Sequence, residues 1–307
     1  MNGPRASISI IIPTCNRLAA LRQCLGSVLR QQAVSETVEH EIIIAVDQRD
    51  TETKEWLTRK KEESLFVQHI IALSPGANAA RNAGIGTAKG KILCFLDDDC
   101  LLPDDLWLVR AYAAFQRFKD AMAVGGGYLR KNNDDLYAVC RNELDNFYLE
   151  QNITQDNRTI ALLGGGSAYR KETLQNCGCF DETIRYGSAE TELNDRILQR
   201  GGKLYFLAEL STEHVPSKRS VSAYLYGSWL QGLGKAYSVI KNGKVKGSRN
   251  GTRCWWVAVL KRVKAEGVRR FLAAGFLIAI AFWYRSGLLC GFVLHKLRRA
   301  STYANYS

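Results

Sequence analysis

Residues 7–12, Ser-Ile-Ser-Ile-Ile-Ile, form a β-branched run dominated by isoleucine. A run of this kind predicts a strand buried on both sides, as in parallel sheets covered by helices on each face. Pro13-Thr14-Cys15-Asn16 breaks it. Residues 17–32 then place Leu18, Leu21, Leu25, Val28 and Leu29 along one helical face, with Asn16 as the expected N-cap. The alternation repeats. Residues 41–46 make a second strand ended by Asp47, and 51–63 a charged helix. Residues 69–73 make a third strand, 78–88 a helix of small residues after Ser74-Pro75-Gly76, and 91–96 a fourth strand. This order predicts an α/β fold: a doubly wound, mostly parallel sheet with flanking helices.

Further on the pattern is less regular. An amphipathic helix is expected over 104–118, and a strand over 121–129 interrupted by Gly125-Gly126-Gly127. Residues 132–160 are polar, with an irregular helix expected. A second glycine run, Gly164-Gly165-Gly166, follows Leu162-Leu163. It either lets the backbone approach a ligand closely or makes a tight turn. Residues 189–200 read as a helix closed by Gly201-Gly202, and 203–208 as a late strand. Glu213-His214-Val215-Pro216 ends the compact part, which divides the chain into residues 1–216 and a helical region 217–307.

Charge sharpens that division. The net charge is +12, yet residues 217–307 hold 17 Lys/Arg and a single acid, Glu266, whereas residues 1–216 carry a net −4. Such asymmetry points to a basic appendage that meets a polyanion or an anionic membrane. Within the appendage, 220–241 reads as a helix and 241–253 as a basic connector. Trp255-Trp256, an apolar block Phe271–Tyr284, Arg285 and Gly287–Leu294 follow. The block is 14 residues long, short of the ~20 that span a bilayer, and Arg285 interrupts any longer span. Basic flanks and tryptophans suit a basic amphipathic helix or hairpin lying in the plane of an anionic membrane surface. The competing readings are a helix docked on the first domain and an oligomer contact. The nine cysteines are odd in number and contain no Cys-x-x-Cys pair, which suits free thiols in a reducing compartment. The N-terminus does not read as a secretory signal. Together these features lead us to expect a cytoplasmic protein, peripheral on the inner face of the cell membrane. No aromatic-basic motif of the common RNA-binding folds is present, so nucleic acid is not the expected partner.

The candidate chemistry sits at Leu93-Cys94-Phe95-Leu96-Asp97-Asp98-Asp99-Cys100, where an apolar strand runs into three consecutive carboxylates. They repel one another, and a hard divalent cation, Mg²⁺ or Mn²⁺, would relieve the repulsion. The plainer reading is a solvated acidic loop. In open parallel sheets, ligands bind outside the carboxyl ends of the strands. Thr14, Asp47 and Asp97–Asp99 follow the first, second and fourth strands, so they converge on one edge.

Several segments together resemble the family-2 glycosyltransferases of the GT-A fold: Ile10-Ile11-Ile12-Pro13-Thr14-Cys15-Asn16-Arg17, Asp47, Gly76-x-x-x-Ala80-Arg81-Asn82-x-Gly84, Phe95-Leu96-Asp97-Asp98-Asp99, Phe180-Asp181-Glu182 and Ala189-Glu190-Thr191-Glu192-Leu193. They fall in the family's order across about residues 7–215. The resemblance implies a metal-dependent, inverting transferase that moves a sugar from a nucleotide-sugar to a hydroxyl of a glycan or lipid-linked acceptor, with UDP the usual nucleotide. It implies that Thr14 and Asp47 hold base and ribose, and that Arg81 supports the nucleotide. Asp97 and Asp99 would bind metal, and Asp98 would reach ribose or metal. His214 would complete the metal shell, or else it packs at a strand end. Glu190 would be the base that deprotonates the acceptor. It stands where the family usually has Asp and follows Ala189 instead of an acid, so Glu192 stays open as an alternative; an acid in the first turn of a helix also needs no catalytic reason. The Gln-x-x-Arg-Trp motif of processive synthases is absent, which favours transfer of a single sugar. A binding protein for nucleotide-sugar or nucleic acid, without transferase activity, is the alternative.

Overall fold

The computed structural model describes residues 6–31, 38–60, 67–129, 135–184, 187–215, 220–243 and 255–304. The first half alternates as the pattern predicts: β1 (Ala6–Thr14), α1 (Leu18–Arg30), β2 (Val38–Val46), α2 (Thr51–Lys60), β3 (Val67–Ile71), α3 (Ala77–Thr87) and β4 (Ile92–Phe95). Then come β5 (Cys100–Leu101), α4 (Trp107–Arg117), β6 (Ala121–Gly125), β7 (Tyr128–Leu129), α5 (Leu136–Glu150), β8 (Arg158–Thr159), β9 (Ser167–Arg170), α6 (Lys171–Cys177), α7 (Ala189–Gln199), β10 (Lys203–Phe206) and β11 (Thr212–His214). Three helices finish the chain: α8 (Val221–Asn242), α9 (Trp255–Val263) and α10 (Gly267–Ala304). The basic connector expected over 241–253 lies almost wholly outside the described residues.

The main sheet has eight strands in the order β3-β2-β1-β4-β9-β6-β10-β8. β1 runs parallel to β2 and β4, and β2 parallel to β3. Ile8, Ile10 and Ile12 pack with Leu21, Val28, Trp107 and Phe115 on one face, while Ile11, Leu93 and Phe95 pack with Ala80, Leu174 and Leu193 on the other. Burial on both faces is why the isoleucine run shows no alternation.

Three expectations are corrected. Asn16 is not the N-cap: it takes a left-handed conformation (φ 54°), Arg17 occupies the cap position, and the Asn16 amide donates to Asp50 Oδ2 at 2.6 Å. The stretch 121–129 is two strands in two sheets, because the chain turns at Gly126 against the Leu210–Ser211 backbone, where a Cβ would overlap main-chain atoms. β7 then joins β11 and β5 in a small second sheet. Finally, β9 was not expected. It lies antiparallel between β4 and β6, in a stretch whose glycines and short length carry no strand pattern.

The C-terminal region is also corrected. It is neither a hairpin nor a helix broken at Arg285. α10 is one continuous helix, and Arg285 sits on its exposed side, where a charged helix former costs nothing. Its other side docks: Ala273, Phe276, Leu277 and Ile280 join a third core with Val139 and Phe147 of α5, Tyr224 of α8 and Val259 of α9. α8 and α10 approach closely at glycines. A Cβ on Gly287 would overlap the Trp229 carbonyl, and one on Gly232 the Tyr284 carbonyl. Gly287→Ala and Gly232→Ala should each force the helices apart and destabilise the fold by about 1–3 kcal/mol, read from urea unfolding midpoints, whereas Gly275→Ala, where nothing lies within 4 Å, should be neutral or stabilising.

Candidate functional site

β1, β2 and β4 end side by side, and the Asp47 amide donates to the Thr14 carbonyl at 3.0 Å. Asp47 is buried, and both its oxygens are used. Oδ1 accepts from the Arg49 amide (3.0 Å) and Nε (2.9 Å); Oδ2 accepts from Arg49 Nη2 (2.9 Å) and the Gly76 amide (2.8 Å). These hydrogen bonds, Arg49's first, outweigh burial and hold the carboxyl well below the usual carboxylate range. Asp47 therefore ties the loop after β2 to the start of α3.

The three acids after β4 diverge. Asp98 is fully buried and accepts the Thr14 hydroxyl at 2.8 Å and Arg17 Nε at 3.2 Å on Oδ2, and Arg17 also contacts its Oδ1. Burial, opposed by Arg17 and Thr14 and reinforced by Asp99 and Asp97, pushes the Asp98 carboxyl up to about 7. Asp99 pairs with Arg17 Nη1 at 2.5 Å on one oxygen and lies 3.8 Å from His214 Nε2 on the other. Asp97 points to α3, where Arg81 Nη2 donates to its Oδ1 at 2.8 Å.

His214 reaches this place through the small sheet. It pairs with Cys100 across β5 and β11, and the Val215 amide donates to the Asp99 carbonyl at 2.8 Å. Its ring stacks on Tyr128, with centroids 4.5 Å apart. Nδ1 lies 2.7 Å from Asn142 Oδ1, which fixes the ring, and Nε2 faces Asp99. Asp99, Cys100 and His214 have ligand atoms within 4.8 Å of one another. Burial, with Asp99 and Asp97 nearby, pushes the Cys100 thiol well up. The carboxylate of Asp99 and the imidazole of His214 are groups that could hold a divalent ion such as Mn²⁺ or Mg²⁺.

Arg81 extends the site to α7. The nitrogen that serves Asp97 also lies 2.9 Å from Glu190 Oε1. Arg81 is buried, its Nη1 donates to Asn78 Oδ1 at 3.2 Å, and its guanidinium lies 5.3 Å from the Phe180 ring centroid. Gly164 sits against this pair, and a Cβ there would overlap Glu190 Oε1. Glu192 faces away: it is fully buried and accepts from Arg196 Nε (2.8 Å), Lys241 (3.0 Å) and Asn242 (3.1 Å). Of the two glutamates, only Glu190 shares the edge with the aspartates.

Thr14, Asp97, Asp98, Asp99, Arg81, Glu190 and His214 thus form one connected cluster, with Asp47 beside it. The sequence reading gave no role to Arg17, whose guanidinium spans Asp98 and Asp99, although it stood in the first motif. It missed Asp50, which caps α2 by accepting the Thr53 amide at 3.0 Å, and Asn142 and Tyr128, which orient His214. Asn142 lies 72 residues from its partner in a polar stretch, and no local pattern marks it.

A mostly parallel sheet that gathers acidic side chains at the carboxyl ends of its strands defines a class of α/β protein with its candidate ligand site at that edge. Comparison with known proteins narrows that class. The profile of Glycosyl transferase family 2 matches residues 9–178, more than half of the chain. The chain belongs to this family. It is 23% identical over 241 residues to glycosyltransferase GlyA of Streptococcus pneumoniae serotype 4, covering 75% of this chain and 34% of that protein. It is 25% identical over 184 residues to glycosyltransferase AglE of Haloferax volcanii, covering 59% of this chain and 58% of that protein. The chain thus spans between a third and three fifths of these relatives' lengths. Among solved structures, mannosyltransferase PcManGT from Pyrobaculum calidifontis, in complex with GDP-Man and Mn²⁺, matches with a TM-score of 0.63 at 16% identity, over 91% of this chain and 87% of that one. At that identity the likeness is one of fold, the GT-A fold.

Arg81→Met should leave Asp97 and Glu190 without their shared cation and lower stability by about 1–3 kcal/mol in chemical denaturation. Arg81→Lys should recover less than half of that loss, because an ammonium lacks the planar fork.

Proposed function

We propose that the protein is a metal-dependent, inverting transferase that moves one sugar from a nucleotide-sugar, with UDP as the nucleotide, to a hydroxyl of a glycan or lipid-linked acceptor. The observation that carries this reading is that one buried nitrogen of Arg81 binds both Asp97 and Glu190. It brings an acid from the acidic triplet and an acid from a distant helix to one edge of the sheet. Thr14 and Asp47, at the ends of adjacent strands, face the nucleoside. Asp97, Asp99 and His214 would hold a divalent ion, which would supply positive charge to the departing diphosphate. Asp98 braces the turn from below and keeps Thr14 and Arg17 in place. Glu190, partly exposed and set against Gly164, accepts the proton of the attacking hydroxyl, and in-line attack from its side inverts the anomeric carbon. Residues 1–216 carry these groups. Residues 217–307 form an accessory region, and the protein works peripherally at the cytoplasmic face of a membrane. Structural neighbours support a metal and a nucleotide-sugar for this fold: one is bound to GDP-Man and Mn²⁺, another to UDP-GlcNAc.

The first test is a thermal-shift panel of nucleotide-sugars with Mn²⁺, followed by turnover. A UDP-sugar with Mn²⁺ should raise the midpoint by several degrees, and chelation should abolish the rise. Asp99→Asn and Glu190→Gln should each reduce turnover by about 10²–10⁴-fold, and only Asp99→Asn should weaken the Mn²⁺ response. Nucleotide-sugar binding with no turnover on any acceptor hydroxyl or water would instead support a binding protein.

A finer test uses Gly164→Ala. The added methyl meets the end of a flexible side chain, so stability should change by no more than about 1 kcal/mol. Displacing the Glu190 carboxylate should nevertheless cut kcat by at least about tenfold, with the KM for donor unchanged.

A further inference from the structure

We propose that the outward face of α10 is a bilayer-docking surface, and that the helix lies in the plane of anionic headgroups instead of crossing the membrane. This deepens the location given above and does not depend on the transfer chemistry.

The segment Gly267–Lys296 is long and apolar enough to span a membrane by length and composition. Its two faces are nevertheless committed differently. At 100° per residue, Phe271, Ile278, Phe282, Leu289 and Val293 fall within about 60° of arc, along ~33 Å of helix. They are 80%, 52%, 68%, 66% and 47% exposed. The opposite face is buried: Ala273, Phe276, Leu277 and Ile280 sit in the third core, and Gly287 and Gly291 lie against α8. That core is tied to the rest of the protein by charge. Arg262 of α9 pairs with Glu143 and Glu150 of α5. On α8, Lys235 pairs with Asp195 and Lys241 with Glu192, both on α7. A spanning α10 would have to leave this core or take those ion pairs into hydrocarbon, and either is expensive. Lying flat requires neither, since only the outward stripe enters the headgroup–acyl boundary.

The occupant follows from charge. Arg285 and Lys296 are exposed at the edge of this stripe, and residues 217–307 contain one acid. A second copy of the chain would bring the same positive charges face to face. An anionic lipid surface offers hydrocarbon to the stripe and negative charge to its basic residues.

Trp283 makes the proposal testable, because it lies near the middle of Gly267–Lys296 and is exposed. Full-length protein is floated with vesicles of phosphatidylcholine alone or with phosphatidylglycerol, and fluorescence quenching by lipids brominated near the headgroup or near the chain end is compared with that of Trp283→Phe. Co-flotation should require the anionic lipid and weaken with salt, the shallow bromine should quench Trp283 more strongly, and Phe271→Glu/Phe282→Glu should reduce partitioning by at least about tenfold while thermal unfolding stays unchanged. Stronger quenching by the deep bromine would show a spanning helix and overturn the proposal. So would an absence of anionic-vesicle binding, or a dimer in light scattering that the double variant converts to monomer.

Discussion

Three consecutive carboxylates at the end of a buried strand need counter-charge, and the loops around β4 are arranged to supply it. Desolvation makes each negative charge costly, and its neighbours add repulsion. The chain meets this by dividing the acids among partners from different elements. Arg17, from the loop before α1, faces Asp98 and Asp99; Arg81, from α3, takes Asp97; and His214, from β11, stands opposite Asp99. The unusual start of α1 follows from this. Asn16 adopts a left-handed conformation, and Arg17 at the cap position, a donor that cannot cap helix N–H groups, turns its side chain to the acids. The same arrangement creates a site, since Arg17 and Arg81 hold the carboxylates apart and leave Asp99 facing His214.

Around that edge the fold works as a set of braces. Asp47 joins the loop after β2 to α3, and Asp50 joins the loop after β1 to α2. The run Gly164–Gly166 passes between the two halves of the cluster, with Gly164 against Glu190, Gly165 against Cys100 and Gly166 (φ +135°) against Thr212. Gly165 and Gly166 make a turn, as one of the two readings expected, and the backbone here also approaches the site's own side chains closely. α7, which carries Glu190, is held from behind by α8, where the Ser188 hydroxyl donates to the Gln231 carbonyl at 2.9 Å and the Ser238 hydroxyl to Asp195 at 2.9 Å. The C-terminal helices therefore bear on the placement of Glu190 as well as on whatever their outer face meets.

Much of this was legible along the chain. The isoleucine runs, their helical intervals and the polar residues ending each strand are local signals, and they predict the parallel half of the sheet and the edge where Thr14, Asp47 and the aspartates meet. What was not legible depends on long-range partners. β9 is a strand only because β4 and β6 flank it. The choice between Glu190 and Glu192 rests on which one meets Arg81 and which meets Arg196, Lys241 and Asn242. Arg285 interrupts an apolar run in one dimension, yet on a helix it occupies one side and breaks nothing.

By itself the sequence determined the order of the first four strands and their helices, the buried character of β1, β2 and β4, the acidic triplet at a strand end and the basic bias of the last ninety or so residues. Each of these follows from hydrophobic period, turn chemistry or charge count, which are properties of neighbouring residues. Only the tertiary structure decided which acid faces the site, which cation answers each carboxylate, that Asn142 and Tyr128 orient His214, and that α10 buries one face and exposes the other. Those outcomes depend on distances between residues tens to more than a hundred positions apart, and only the packed sheet and helices fix such distances.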